Sequence, residues 1–272
     1  NSNLGMSMIT KKTAEEVEGG KVAYLAQTPG VVTSKDSTDE GKINVSFFGI
    51  DKDQFIMPNL VEGKAFNNDD EAIGDSSLKV YHTVDDSYFD DAVFIGDSRT
   101  VGMYEYGGLE ETSTFYASTG LTIYKMFDSK IVAVPGQKKK ITVEEALSEK
   151  QFAKIYLMIG INEMGTGTVE SFMKAYGEAV QHLQQLQPDA VIYLQAIMKV
   201  TTERSGQGDY ITNEGIEARN EEIAKLADDE KIFYLDVNPL ICDETGGMVA
   251  SYTYDGVHLK AQYIPIWLDF LK

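Results

Sequence analysis

A serine and a histidine far apart in the chain carry the side chains that ester hydrolysis requires. Asp255 stands three residues before His258 near the C-terminus, and Ser98 lies upstream in a Gly-Asp-Ser-Arg segment that begins at Gly96. A serine hydrolase needs a nucleophile, a base that takes its proton and a carboxylate that orients the base. Since Asp-x-x-His supplies base and carboxylate in one turn of chain, these residues are candidates for a catalytic triad.

Two further segments can supply hydrogen-bond donors to a developing oxyanion. Asn162 belongs to a Gly-Ile-Asn-Glu segment that follows an apolar run, and a side-chain amide in that position can donate. Gly120 lets the backbone come close to a ligand and offers its N–H group. Each segment alone is also explained by an ordinary turn, so it is their conjunction with the serine and histidine that indicates a site.

The remaining histidines and the cysteine are interpreted as structural. His182 lies on a predicted helix and is expected to pair with Glu178 one turn earlier, while His82 lies in a linker. Cys242 is the only cysteine, which excludes an internal disulfide and a cysteine-rich metal site. It is predicted to be a half-buried structural thiol.

The elements that must position these residues alternate between strands and helices. Continuous apolar runs, typical of strands buried on both faces, occupy residues 92–95, 113–117, 154–159, 190–197 and 231–236. Helical patterns occupy residues 169–187 and 214–229, and a capping box opens another helix at Thr142. This alternation predicts a parallel sheet with helices on both faces, whose sites form at the carboxyl ends of strands.

Composition and charge narrow the classes of function. The net charge of -19 argues against nucleic acid and against an anionic membrane surface as partners. No stretch approaches the roughly 20 apolar residues of a membrane span, so no membrane insertion is expected. The first five residues resemble a mature start or an expression remnant, which leaves open a removed signal or anchor. Residues 1–80 are predicted to be a small β-rich N-terminal extension of unknown role, and residues 81–272 the main domain.

In their order along the chain, the four segments resemble the SGNH hydrolases, also called the GDSL esterase/lipase family. The first block of that family is similar to residues 96–99, with Arg99 where many members have leucine. The third block is similar to residues 160–163, with Glu163 in place of an aspartate, and the fifth block is similar to residues 255–258. The resemblance covers residues 88–272.

The resemblance implies a flavodoxin-like three-layer α/β/α fold with a central parallel sheet. It also implies the roles of the site residues: Ser98 as nucleophile, His258 as general base and later acid, and Asp255 as the group that orients His258. The oxyanion hole would consist of the N–H groups of Ser98 and Gly120 and the side chain of Asn162. Neither a metal nor a cofactor is implied.

The same resemblance implies a serine esterase that acts on small acyl esters rather than on lipids. The expected substrate is an acetyl ester on a carbohydrate or cell-wall polymer, outside the cell or attached to its surface. A long segment, residues 201–215, is expected to border the pocket, with Tyr210 as a candidate substrate contact. Two alternatives stay open. One is a non-catalytic glycan- or protein-binding module, and the other is an acyltransferase that uses the same triad.

Overall fold

The computed structural model describes residues 25–33, 42–50 and 84–272. Residues 1–80 and 81–272 are two compact units. In the first unit, strand β1 (Leu25–Thr33) pairs antiparallel with strand β2 (Lys42–Ile50), which contains the strand predicted over 43–50. The roles assigned to the two units stay predictions, and His82 lies outside the described residues.

A five-stranded parallel sheet forms the centre of the second unit. Its strands run in the order β4-β3-β5-β6-β7, which is the flavodoxin-like order. This confirms the predicted fold class. Each predicted apolar run coincides with one strand to within one or two residues, and the strands are β3 (Ala92–Gly96), β4 (Thr114–Ala117), β5 (Lys154–Met158), β6 (Val191–Gln195) and β7 (Ile232–Leu235).

Helices cover both faces of this sheet. The α-helices are α1 (Ser98–Tyr106), α2 (Val143–Glu149), α3 (Val169–Leu186), α4 (Thr202–Ser205), α5 (Asn213–Ala224), α6 (Asn238–Ile241) and α7 (Ile264–Leu271). Short 3-10 helices span Asp86–Phe89, Ile123–Lys125, Ile161–Glu163, Ala250–Tyr252 and Ala261–Tyr263. Apolar residues of α2, α3 and α5 pack in one core layer, and those of α1, α6 and α7 pack in the other. The fold therefore has three layers.

Aromatic rings cross the sheet in a single row, one from each strand. The residues are in register, and the rings of neighbouring strands stack with centroid distances between 4.6 and 5.8 Å. In spatial order the row contains Phe115, Phe94, Tyr156, Tyr193 and Phe233. Because such cross-strand pairs stabilise one register, this row helps to fix the relative heights at which the strands end.

Helix α3 shows why the long helical prediction was accurate and α5 shows where one was too long. Thr168 caps α3 by accepting a hydrogen bond from the N–H of Ser171, and α3 ends one residue before the predicted end. Helix α5 ends at Ala224, whereas the pattern predicted a helix to residue 229. The carboxylate of Asp228 accepts hydrogen bonds from three successive N–H groups, at residues 230–232, and so forms a turn instead.

The predicted partner of His182 was wrong. Its Nε2 lies 2.6 Å from Oε2 of Glu144 on α2, and its ring edge contacts Phe127 at a centroid distance of 4.6 Å. Tertiary packing of α2 beside α3 therefore supplies the carboxylate, and Glu178 on the same helix is not its partner. Within the described part of the chain, no helix has both the length and the apolar character needed to cross a lipid bilayer.

Candidate active site

The predicted site residues follow three adjacent strands at their carboxyl ends. Ser98 begins α1 immediately after β3, Gly120 follows β4, and Asn162 follows β5. Strand β3 lies between β4 and β5. After β3 the chain continues on one face of the sheet, and after β4 and β5 it continues on the other face. In open parallel sheets a crevice forms at such a point, and it is the usual place for a ligand.

Ser98 is held in a tight turn between strand and helix. A methyl group on Gly96 would lie 2.1 Å from Oγ1 of Thr100 and 2.4 Å from the carbonyl oxygen of Met158, so only glycine fits there. Asp97 caps α1, because its buried carboxylate accepts a hydrogen bond of 2.9 Å from the N–H of Arg99. Because Asp97 supplies the cap, the Ser98 side chain is free to point elsewhere.

Ser98, His258 and Asp255 form a continuous hydrogen-bonded chain. Oγ of Ser98 lies 2.8 Å from Nε2 of His258, although the two residues are 160 positions apart in sequence. Nδ1 of His258 lies 2.7 Å from Oδ2 of Asp255. These are the contacts through which a base can take the serine proton while a carboxylate fixes the orientation of the ring.

The loop that carries Asp255 and His258 is organised around the carboxylate. Oδ1 of Asp255 accepts hydrogen bonds from the N–H groups of Val257 and His258, both at 2.9 Å, and from Oγ1 of Thr253 at 3.1 Å. Burial raises the pKa of Asp255, but the backbone and side-chain hydrogen bonds from His258 and that from Val257 outweigh it and hold the pKa well below its usual range. The carboxylate therefore stays ionised beside the imidazole.

Gly120 and Asn162 lie on loops that are bonded to each other. Nδ2 of Asn162 donates to the carbonyl oxygen of Leu121 at 2.9 Å, which occupies one of the two amide hydrogens and leaves the second for another acceptor. Gly120 has a φ of 74°, a conformation that favours glycine, in a turn closed by the 3.1 Å bond from the N–H of Leu121 to the carbonyl of Ser118. The structure thus brings the loops of Gly120 and Asn162 together.

Glu163 is a residue near the site whose role the sequence did not reveal. Its side chain is fully buried, and Oε1 accepts a hydrogen bond from the N–H of Ile123, on the loop that also contains Leu121. Oε2 is buried without a hydrogen-bond partner among the described residues. Burial raises the pKa of Glu163 to about 7, and the nearby charge of Asp97 acts in the same direction. The replacement of aspartate by Glu163 in the third block was the only signal for this residue.

Arg99 is the second departure from the usual blocks, and it is also buried. Its Nε donates to the carbonyl oxygen of Val257, while both terminal nitrogens lack a hydrogen-bond partner among the described residues. Burial lowers the pKa of Arg99, and the charges of Asp97 and Asp255 oppose this effect. The buried Arg99 guanidinium is therefore bonded to the Asp-x-x-His loop, whereas the sequence showed only that arginine replaces leucine at this position.

The other candidates have simpler positions. Cys242 is half-buried, and burial raises the pKa of its thiol to about 11, as expected for a structural cysteine. Tyr210 is exposed and lies against Gly165, three residues beyond Asn162. Across residues 84–272, no three His, Cys, Asp or Glu side chains come together in a way that could hold a metal ion.

Comparisons with known proteins agree with this fold. Solved structures similar to the chain include a Streptococcus pneumoniae protein described as a platelet activating factor, an acylhydrolase from Bacteroides fragilis and a GDSL-like lipase from Bacteroides thetaiotaomicron. Their identities are 24%, 15% and 16%, and their TM-scores are 0.52, 0.52 and 0.50. The matches cover 66%, 67% and 66% of this chain and 81%, 84% and 86% of the other chains. At these identities the likeness shows the fold.

Sequence comparison identifies the family. No curated protein sequence matches the chain significantly. Residues 94–262 match the family model of the GDSL-like lipase/acylhydrolase family, and this match spans more than half of the chain. The chain therefore belongs to the GDSL-like lipase/acylhydrolase family, and it is a hydrolytic esterase.

Proposed function

We propose that the chain is a serine esterase that removes short acyl groups, above all acetyl, from a carbohydrate or cell-wall substrate. Ser98 is the nucleophile, His258 the general base and acid, and Asp255 the carboxylate that orients His258. The observation that carries this proposal is the hydrogen-bonded chain from Ser98 through His258 to Asp255, with distances of 2.8 and 2.7 Å.

In the first half of the reaction, Oγ of Ser98 attacks the ester carbonyl carbon while Nε2 of His258 takes the serine proton. Asp255 stabilises the resulting imidazolium, because its carboxylate remains ionised and bonded to Nδ1. The carbonyl oxygen becomes an oxyanion. When the tetrahedral intermediate collapses, the alcohol oxygen takes the proton from Nε2 and leaves, and the acyl group stays on Ser98.

The oxyanion is stabilised by the N–H groups of Ser98 and Gly120 and by the second amide hydrogen of Asn162. Donors fixed in advance stabilise a transition state because they need not reorient as charge develops. The bond from Nδ2 of Asn162 to Leu121 supports this role, since it holds the amide against the loop of Gly120. The position of Ser98 at the start of α1 adds the positive end of the helix dipole.

In the second half, water attacks the acyl-enzyme carbonyl and gives a proton to Nε2 of His258. The new tetrahedral intermediate collapses, Ser98 regains its proton from His258, and a carboxylic acid is released. An acyltransferase would replace this water by a sugar hydroxyl and use the same residues. Product analysis separates the two, because only hydrolysis releases free acetate.

The exposed apolar surface favours a short acyl group and a sugar. Across residues 84–272, the large exposed hydrophobic side chains are five tyrosines and one leucine. They are Tyr104, Tyr106, Tyr124, Tyr210, Leu240 and Tyr254. A long acyl chain requires a continuous aliphatic surface, whereas tyrosine combines a flat apolar face with a polar end. Because acetylated glycans of this kind belong to cell walls, the proposal includes a location outside the cell or on its surface.

The test is hydrolysis of p-nitrophenyl acetate, butyrate and octanoate by the wild type and by Ser98→Ala, with Ser148→Ala as the matched control. Ser148 is an exposed serine on α2. We expect activity that falls with acyl length, is lost in Ser98→Ala and is unchanged in Ser148→Ala. Equal activity of Ser98→Ala and wild type would refute the nucleophile, and a preference for octanoate would refute the short acyl group.

A further inference from the structure

The aromatic ring of Tyr210 lies flat against the backbone of Gly165. A methyl group built on Gly165 would lie 2.8 Å from Cγ of the tyrosine ring and 2.9 Å from both Cδ atoms. A point equidistant from these three atoms lies over the centre of the ring. One face of the ring therefore covers Gly165, and the absence of a side chain at residue 165 is what allows this contact.

The opposite face of the ring is open to solvent. Tyr210 is 61% exposed, which is far more than a tyrosine packed on both faces would be. Tyrosine combines a flat apolar face with a polar hydroxyl and is enriched at binding interfaces, so a ring supported on one face and exposed on the other is suited to contact a ligand.

The segment that carries Tyr210 is braced on both sides of the ring. Asp209 forms two hydrogen bonds with the guanidinium of Arg204, at 3.0 and 2.9 Å, and accepts a third from the N–H of Ile211 at 2.9 Å. Because the residues before and after Tyr210 are fixed in this way, the ring is presented with little loss of conformational freedom on binding.

This segment also touches both loops of the active site. Arg204 packs against Gly256, inside the Asp-x-x-His loop, where a methyl group would lie 2.7 Å from Cβ of the arginine. The N–H of Thr201 donates to the carbonyl oxygen of Gly256 at 2.9 Å. At its other end the segment covers Gly165, beyond Asn162. Tyr210 thus belongs to the border of the crevice that contains Ser98.

We propose that the exposed face of Tyr210 is a sugar-binding platform, on which a pyranose ring of the substrate stacks while its acyl ester reaches Ser98. The C–H groups on the apolar face of a sugar match the negative face of an aromatic ring. The polar surroundings of Arg204 and Asp209 match its hydroxyl groups. This inference rests on the proposed function for the ester, and it adds the residue that recognises the carbohydrate.

The test compares a substrate with a sugar and a substrate without one. The substrates are methyl acetate, which has neither a sugar nor an aromatic ring, an O-acetylated xylo-oligosaccharide and an O-acetylated chito-oligosaccharide. For Tyr210→Ala we expect kcat/KM on an acetylated oligosaccharide to fall about tenfold, mainly through KM. Hydrolysis of methyl acetate should not change. Tyr210→Phe should behave as the wild type, because stacking needs only the ring.

Two further variants separate binding from a structural effect. Tyr106→Ala removes a tyrosine that is 57% exposed at the opposite end of α1 from Ser98, and it should change neither reaction. Gly165→Ala displaces the ring from its support and should reproduce the selective loss of Tyr210→Ala. An equal loss on all substrates, or no loss on either oligosaccharide, would overturn the platform.

Binding to Ser98→Ala keeps the platform separate from the chemistry. Calorimetric titration of Ser98→Ala and of Ser98→Ala/Tyr210→Ala with the same oligosaccharides should show about tenfold weaker binding in the double variant. If Ser98→Ala still hydrolyses esters, the proposed function fails, while this titration still tests the platform. If the wild type hydrolyses the oligosaccharides and both variants bind them equally, the platform fails and the proposed function stands. Absence of binding to both oligosaccharides overturns the platform.

Discussion

Nε of Arg99 donates a hydrogen bond of 3.3 Å to the carbonyl oxygen of Val257, so the residue after Ser98 is bonded to the residue before His258. This hydrogen bond and the one between Ser98 and His258 join the same two segments. It gives the start of α1 a second link to the Asp-x-x-His loop. The charge of the guanidinium also lies close enough to Asp97 and Asp255 to interact with both.

Arg99→Met should weaken catalysis more than substrate binding. Methionine keeps much of the apolar stem, but it removes the donor to Val257 and leaves the buried carboxylate of Asp97 without the nearby positive charge. We expect kcat for p-nitrophenyl acetate to fall about tenfold or more with little change in KM, as for the loss of a charged hydrogen bond. Arg99→Lys restores the charge without the planar donor and should recover part of kcat. Unchanged kcat in Arg99→Met would contradict this role.

Asp255→Asn should impair activity and alter the response to acid. The amide cannot stabilise the imidazolium, and we expect kcat to fall by roughly 10²–10⁴. The pKa of Asp255 is lowered in the folded state, so its ionised form stabilises the protein at pH values above the ordinary 3.8. That stability is lost as pH falls through and below this value. Denaturant unfolding should therefore show a stability difference between wild type and variant at pH 7 that shrinks toward pH 2. A stability difference of the same size at pH 7 and pH 2 would contradict this contribution of Asp255.

Glu163→Gln should remove a contribution to stability whose pH dependence is opposite to that of Asp255. The buried carboxyl has its pKa raised from 4.5 to about 7, so the folded state keeps a proton that the unfolded state loses between these values. Stability from this group is present below pH 4.5 and is lost as pH rises through 7, by roughly 3 kcal/mol. Glutamine does not titrate and can still accept from Ile123. Relative to wild type, the variant should therefore become more stable between pH 4 and pH 8, and parallel pH profiles of unfolding would contradict this.

Two glycine-to-alanine substitutions should have opposite effects. Gly160 has a φ of 143°, and a methyl group there would lie 2.3 Å from Cδ1 of Ile197. Gly160→Ala should destabilise the protein by roughly 1–3 kcal/mol and lower activity by displacing Asn162. Gly177 lies inside α3 with nothing near the position of a methyl group, so Gly177→Ala should stabilise the protein by roughly 0.5–1 kcal/mol. Thermal unfolding measures the stability of each variant, and p-nitrophenyl acetate hydrolysis measures its activity. A stability change of the same sign in both variants would contradict the prediction.

Much of the fold could be predicted because local patterns and tertiary packing agree. The apolar runs became strands because both of their faces are covered by helices, and the face of α3 marked by Phe172 and Tyr176 is buried as predicted. Ser98 and Asn162 could be placed at one edge because parallel strands end together. Local signals of this kind do not specify the order of the strands in the sheet. That order could be predicted only through the family resemblance.

Contacts between distant segments could not be predicted. The bond from His182 to Glu144 depends on two helices lying side by side, and no spacing within either helix indicates it. The same is true of the contact between Gly165 and Tyr210, because neither segment carries a signal that indicates the other. Glu163 and Arg99 were visible only as substitutions in family blocks, because burial is a property of the whole fold.

The two hydrogen bonds of the Ser98–His258–Asp255 chain differ in how much of the polypeptide must be folded to form them. The bond between His258 and Asp255 closes over three residues, whereas the bond between Ser98 and His258 closes over 160. Local opening of the C-terminal loop would therefore separate His258 from Ser98 while most helices stay intact. Loss of catalytic activity therefore reports this partial unfolding. During a urea titration, activity should be lost before the far-ultraviolet circular dichroism changes.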